Sequence, residues 1–296
     1  MNFIDIMNEP VVFTLVCALL GLVVGSFLNV VIHRLPQMLE RDWDAQAADL
    51  LEQKGSADAA AKLRSPGGVT RYNLVTPRST CPRCGHRIRA WENIPILSYL
   101  FLRARCAKCK APISVRYPIV EAVSGILSGY IGWRYGLTLA TVGALFLMWS
   151  LIALTAIDID TQLLPDDITL PLIWVGLLVN LNGTFVPLQG AVIGVIAGYL
   201  SLWAVYWLFK LATGKEGMGY GDFKLLAAIG AWLGWKMLPV VILLSSLVGA
   251  IIGIGLIVFA RHGRNTPIPF GPYIAAAGLI ALFWGETINR TYLQLF

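Results

Sequence analysis

Residues 138–157 read TLATVGALFLMWSLIALTAI, and residues 158–167 continue DIDTQLLPDD. Twenty residues without a charge match the length of helix that crosses the roughly 30 Å hydrocarbon core of a bilayer. The run then stops in two aspartates, Asp158 and Asp160, followed by Leu164-Pro165 and two more acids, Asp166 and Asp167. The rest of the chain has the same character: of 296 residues, 57% are hydrophobic and 14% charged, against about 25% charged in soluble domains. Disorder and an ordinary soluble domain are both excluded. With Gly, Pro and polar clusters as punctuation, eight membrane helices are predicted, near 10–32, 117–135, 138–157, 167–183, 187–212, 223–236, 238–260 and 270–289. The stretch 10–32 is expected to stay as a membrane helix. Asp5 and Glu9 precede it in place of a basic region, and no small-residue cleavage site follows.

The formal charge of +6 is not spread evenly. Fifteen Lys/Arg and seven Asp/Glu lie between Arg34 and Arg116, so the basic character belongs to one segment. Basic loops stay cytoplasmic. The predicted helices put that segment on one side with Lys210, Lys215 and Lys224 after the fifth helix and Arg261 and Arg264 after the seventh. Only Arg134, Lys236 and Arg290 fall on the other side, a split of twenty to three. The expected protein is thus an all-α polytopic membrane protein with both termini outside the cytoplasm and a cytoplasmic insertion after the first helix.

Within the insertion, Asp42 to Leu63 reads as a polar, Ala-rich helix ending at Pro66-Gly67-Gly68. After it come Cys81-Pro-Arg-Cys84 and Cys106-Ala-Lys-Cys109, two pairs separated by twenty-one residues. This spacing predicts a tetrahedral zinc site in which each pair grips the metal from one turn, structural because four thiolates leave no open position. Two disulfides are the competing reading, disfavoured in a reducing cytoplasm. Cys17 reads as packing, and His86 as a neighbour of the site. Arg83, Arg87, Arg89, Arg103, Arg105, Lys108 and Lys110 suit anionic lipid headgroups or an acidic partner. Without interleaved aromatic platforms, nucleic acid is not expected.

Ionisable groups in or at the ends of membrane helices are costly and are functional candidates. Asp166 and Asp167, opening a helix after Leu164-Pro165, suit its dipole. Asp158 ends an uncharged helix. Asp222 lies in Gly219-Tyr220-Gly221-Asp222, preceded by Gly217, where a glycine-rich turn enters an apolar helix and lets another backbone approach. Two carboxylates brought together at one depth share a proton, so one activates water and the other polarises a carbonyl, as in aspartic proteases. A proton-coupled transporter using Asp158, Asp222 and Glu121 is the alternative. Its drawbacks are the lack of an evident inverted repeat and an insertion that transport does not need.

Ordered motifs across the chain resemble a known family. They are Gly25-Ser-Phe-Leu-Asn-Val-Val-Ile-His-Arg-Leu-Pro36, the cysteine pairs with Trp91-Glu-Asn-Ile-Pro95 between them, and Ile113-Ser-Val-Arg-Tyr-Pro118 with Val120-Glu121. Further on come Ile157-Asp-Ile-Asp-Thr-Gln-Leu-Leu-Pro-Asp166, Gly214-Lys-Glu-Gly-Met-Gly-Tyr-Gly-Asp222-Phe-Lys and Pro267-Ile-Pro-Phe-Gly-Pro272. The chain is similar to bacterial type IV prepilin peptidases, bifunctional leader peptidases and N-methyltransferases of pilus and type II secretion systems. The resemblance implies a GxGD-type aspartic peptidase of the bacterial inner membrane that cleaves prepilins and pseudopilins after the glycine ending a short basic leader. It further implies methylation of the new N-terminal residue, commonly Phe, by S-adenosylmethionine. Carried over, the catalytic pair is Asp158 and Asp222 in an active-site turn with Gly219 and Gly221. Asp158 lies seven residues before Pro165, as the family pattern requires; Asp160 is the alternative. Glu92, Glu216 and Asp166 are candidates to meet the basic leader, and Arg103 or Arg105 the substrate glutamate. No glycine-rich nucleotide cradle is visible, so methylation follows from the resemblance alone. It is assigned to the insertion and the adjoining motif with Asn29, His33 and Arg34. The implied division is a first membrane helix, 1–32, a zinc-binding segment, 33–116, and a seven-helix peptidase domain, 117–296.

Overall fold

The computed structural model describes residues 3–63, 72–259 and 268–294. Pro66-Gly67-Gly68, Arg261, Arg264 and Pro267 lie outside the described residues. The described chain is almost wholly helical: α1 (Phe3–Asn8), α2 (Pro10–Gln53), α3 (Ala57–Leu63), α4 (Leu97–Phe101), α5 (Arg116–Tyr135), α6 (Leu139–Thr161), α7 (Asp166–Val179), α8 (Leu188–Thr213), α9 (Tyr220–Leu233), α10 (Leu238–Phe259) and α11 (Gly271–Gln294). It divides into two compact units, Met1–Ala18 with Leu127–Phe296, and Leu19–Ile126.

A helix stands at each of the eight predicted positions. Among the described residues, five are long and apolar enough to cross a membrane by length and composition: Pro10–Gln53, Leu139–Thr161, Leu188–Thr213, Trp235–Leu256 and Gly271–Thr291. The other three are α5, α7 and α9. The last two have 14 residues each, about 21 Å of helix, and each is followed by a short 3₁₀ turn, Asn180–Asn182 and Trp235–Met237. α9 ends at Gly234, whose φ is +74°, and is packed in protein: from Asp222 to Leu233 every residue but Lys224 is buried. A helix apolar on all sides finds its solvent in its neighbours.

The first span is not a helix of its own. α2 runs 44 residues straight through Pro36, about 66 Å, so the polar helix expected from Asp42 is largely its continuation. Polarity marks where a helix leaves lipid, not where it ends. The break falls at Gly55, whose φ of +78° suits a residue without a side chain.

In the unit formed by Leu127–Phe296, α9 packs against α7, α8 and α11, and α11 against α6 and α10. The α8–α9 contact is glycine on glycine: a Cβ on Gly194 would strike the Gly230 carbonyl, and one on Gly230 the Gly194 carbonyl. Small residues permit this backbone approach. At its far end α9 is pinned by Trp232 Nε1 donating to the Leu172 carbonyl at 2.9 Å. Asn180 Nδ2 donates to the Ala231 and Trp232 carbonyls at 2.9 and 3.0 Å. These bonds fix where the opposite end of α9, which carries Asp222, is held.

Candidate functional site

α6 delivers Asp158 in its last turn. Gln162 then adopts the left-handed conformation, φ 55°, and donates its N–H to the Asp158 carbonyl at 2.9 Å, ending the helix. The Asp158 side chain is buried, and its Oδ2 accepts the backbone N–H of Gly271 at 3.0 Å. Asp160, two residues on, is exposed. Asp222 is buried in the first turn of α9 behind the extended Gly219, whose carbonyl accepts the Asp222 N–H at 3.3 Å. Gly221 is required by space, since a Cβ there would lie 2.7 Å from Leu164 Cβ. Gly217 is pressed on the Phe209 ring, whereas Gly219 has room.

Asp158 and Asp222 border one cavity of about 450 Å³, lined also by Leu164, Asp166, Gly217 to Gly221, Lys224 and Ile268 to Phe270. Its rim carries two ion pairs. Lys224 Nζ reaches both Asp166 oxygens at 2.7 and 2.8 Å, and Lys210 Nζ reaches Glu216 at 2.8 Å. The Lys210 ammonium holds the Glu216 carboxyl below the usual carboxylate range. Two acids considered for a basic leader are therefore already paired with lysines. The third, Glu92, accepts the Arg89 N–H at 2.9 Å and lies 3.1 Å from His86 Nε2. The Arg89 N–H first, then His86, holds its carboxyl low.

In the unit Leu19–Ile126, Cys81, Cys84, Cys106 and Cys109 bring their sulfurs within 4.8 Å of one another. The two turns repeat one pattern. Cys81 N–H donates to His86 O and Gly85 N–H to Cys81 O, while Cys106 N–H donates to Ala111 O and Lys110 N–H to Cys106 O. Gly85 and Lys110 take matching φ values of 66° and 59°. The Arg83 and Cys84 N–H groups bring the Cys81 thiol down to about 6, while that of Cys84, despite the His86 N–H, is raised to about 11 by burial and by the other three cysteines, so one thiolate is favoured and its neighbour stays protonated. A tetrahedron with metal–sulfur bonds of about 2.3 Å has edges of roughly 3.8 Å, and Cys81 Sγ lies 3.8 Å from Cys109 Sγ. All four are free thiols, and the cluster has the shape of a metal site.

The residues considered for methyl transfer have structural partners. Asn29 Nδ2 donates to the Gly25 and Tyr117 carbonyls at 3.2 Å each, and Arg34 to the Asn73 and Pro77 carbonyls at 2.9 and 2.6 Å. His33 meets Gln37. Two partners went unforeseen. Gly271 was visible only as part of a Pro- and Gly-rich motif, and Lys224 only as one of the basic residues counted after the fifth helix.

A helical membrane-type protein with a four-cysteine cluster in one unit and two buried aspartates on a cavity in the other defines a narrow class. Residues 19–135 match the bacterial peptidase A24 N-terminal domain, and residues 145–254 the type IV leader peptidase family. Prepilin leader peptidase/N-methyltransferase is the name of relatives in Pseudomonas aeruginosa, 55% identical over 97% of this chain and 96% of that one, and in Aeromonas salmonicida, 59% identical over 93% and 92%. A relative of the same name in Burkholderia pseudomallei is 52% identical over 90% and 84%. No solved structure matches significantly. The chain belongs to the type IV leader peptidase family.

Proposed function

We propose that the chain is a prepilin leader peptidase and N-methyltransferase of the bacterial inner membrane, cleaving prepilins and pseudopilins at the cytoplasmic face. The observation that carries the catalytic assignment is the burial of Asp158 and Asp222 on one cavity. Asp160 does not line it. Two carboxyl groups on one cavity can divide the roles of acid and base between them when one is protonated and the other ionised. The ionised aspartate removes a proton from water as the oxygen bonds to the scissile carbonyl carbon. The protonated one gives its proton to the carbonyl oxygen. Collapse of the tetrahedral diol breaks the C–N bond, with the proton passing to the leaving amine. The Gly271 N–H holds one Asp158 oxygen and leaves the other for water.

Eight membrane crossings, with α7 and α9 as short spans, put both termini in the periplasm and the cysteine unit in the cytoplasm. The division is 1–32, 33–116 and 117–296. Zinc suits the cluster by its four thiolates and 3.8 Å edge, and a closed four-sulfur site makes it structural. S-adenosylmethionine supplies the methyl group. A cavity of about 220 Å³ lined by Val23, Ser26, Phe27, Val30, Asn93 and Pro95 is below the roughly 300–1,000 Å³ of ligand pockets and does not fit this donor. Methyl transfer is assigned to the cysteine unit on family membership.

Incubating the purified enzyme with a prepilin is expected to give a mass loss equal to the leader and then a gain of one methyl. Asp158→Asn and Asp222→Asn are each expected to lower cleavage by about a thousandfold while metal content and membrane insertion persist. Retained cleavage in either variant overturns the assignment.

A further inference from the structure

Residues 90–101 read AWENIPILSYLF, with Glu92 as their one charge. Apolar runs of this length are too short to span a bilayer and typify re-entrant or interfacial segments. In a water-soluble insertion they would form a core. Here Trp91, Ile94, Leu97, Leu100 and Phe101 are exposed, Phe101 by 81%.

Two contacts within the unit Leu19–Ile126 set the depth of this segment. Asn93 and Pro95 share a cavity with Val23, Ser26, Phe27 and Val30 of α2. Phe27 lies six residues inside the next titratable residue, His33, or about 9 Å at the helical rise. Independently, the Ile96 N–H donates to Glu121 Oε2 at 2.7 Å. Glu121 lies five residues into α5 from Arg116, about 7.5 Å. Both helices therefore put the hairpin tip level with their apolar stretches, below their basic ends.

Backbone can enter hydrocarbon only when its polar groups have internal partners, and the tip of this segment is bonded within itself. Leu97 N–H donates to Pro95 O, Ser98 to Ile94 O, Leu100 to Ile96 O, Leu102 to Ser98 O and Ala104 to Tyr99 O. Ile96 takes a φ of 58°, costly for a β-branched residue, and Glu121 secures its N–H. Glu92 accepts the Arg89 N–H at 2.9 Å and lies 3.1 Å from His86 Nε2, so its carboxylate has partners within the segment's own base. Arg87 and Arg89 before the segment and Arg103 and Arg105 after it are all exposed, spaced to meet anionic headgroups.

We infer that residues 90–101 form a re-entrant hairpin that enters the lipid leaflet on the side of the cysteine cluster. Leu97, Leu100 and Phe101 lie among acyl chains and the four flanking arginines among phosphates. Glu121 serves as the intramembrane acceptor that closes the hairpin. This rests on the reading of the chain as a membrane enzyme.

The test uses the full chain in nanodiscs of phosphatidylethanolamine and phosphatidylglycerol, with the photo-crosslinker p-benzoylphenylalanine replacing Leu97, Leu100 or Phe101 in turn. Leu19 on α2 is the lipid-facing control, and Val75, 80% exposed in a polar loop, the aqueous one. Phospholipid adducts at two or more of the three positions, at yields near that of Leu19 and several-fold above Val75, are expected. Yields no higher than at Val75 while Leu19 labels would overturn the hairpin, as would attachment to added prepilin in place of lipid. Failure at Leu19 as well would overturn the membrane reading and the hairpin with it. Three positions cover the case in which one replacement disturbs the fold.

Discussion

Asp158 is oriented by a backbone donor from 113 residues away, and that bond sets what small substitutions should do. A Cβ on Gly271 would lie 2.6 Å from Asp158 Oδ2, so Gly271→Ala must push the carboxylate off its N–H. A hydrogen bond to a charged group is worth about 1.5–3 kcal/mol. Cleavage is expected to fall about 10–100-fold in a mass-spectrometric leader-release assay, with methylation of a pre-cleaved peptide unchanged. The GxGD turn offers an internal contrast. Gly221→Ala drives a methyl into Leu164 and should lose most cleavage, whereas Gly219→Ala enters open space and should keep it. Equal losses from the two would show that the turn needs glycine for mobility and not for packing. Counting back from Pro165 separates Asp158 from Asp160 in the sequence, but no spacing rule reaches from Asp158 to Gly271.

The helix pair α8–α9 illustrates the same division for whole elements. Gly194→Ala forces a side chain against the Gly230 backbone, and overpacking of this kind costs about 1–3 kcal/mol. The thermal midpoint in detergent is expected to drop, and cleavage with it, because α9 carries Asp222. Gly190→Ala, with nothing within 4 Å of its Cβ, should leave both unchanged. Apolar runs made the positions of eight of the eleven described α-helices legible; α1, α3 and α4 have no run of that length. Their lengths were less so, because polarity reports the solvent around a helix and not its hydrogen bonding. For that reason α2 extends well past residue 32. α9 stops at 14 residues, at Gly234, and is packed against α7, α8 and α11, an environment that composition does not distinguish from lipid.

For the whole molecule, the decisive feature is that the cysteine cluster and the aspartate pair belong to different compact units. Chelating the zinc proposed for this cluster, or Cys81→Ser, is expected to unfold the cysteine turns and abolish methylation. Leader cleavage should survive at a substantial fraction of its rate, with both products read by mass in one assay. Loss of cleavage in parallel with metal content would show instead that the peptidase depends on the cysteine unit. The charge bias carries a second expectation: reporters fused to either terminus should be active only if they work in the periplasm. A cytoplasmic signal from one end would change the number of crossings from even to odd.

Hydrophobic run length, basic-residue bias and cysteine spacing are local quantities, and they determined the membrane class, the positions of the helices and the four-thiol site. They also narrowed the chemistry to a few acids at helix ends. Tertiary structure decided which of those acids border a cavity and that Gly271 orients one of them. It also decided that the acids first considered for a basic leader are held by Lys210, Lys224, Arg89 and His86. It placed the apolar 90–101 segment beside α2 and α5, at a depth its composition alone leaves open. The physical reason is that the cavity, the Gly271 bond and the Lys224–Asp166 pair join residues 58 to 113 positions apart, while even the short-range pairs at Glu216 and Glu92 depend on how their turns fold. Close helix packing, at contacts such as Gly194 with Gly230, brings such residues together.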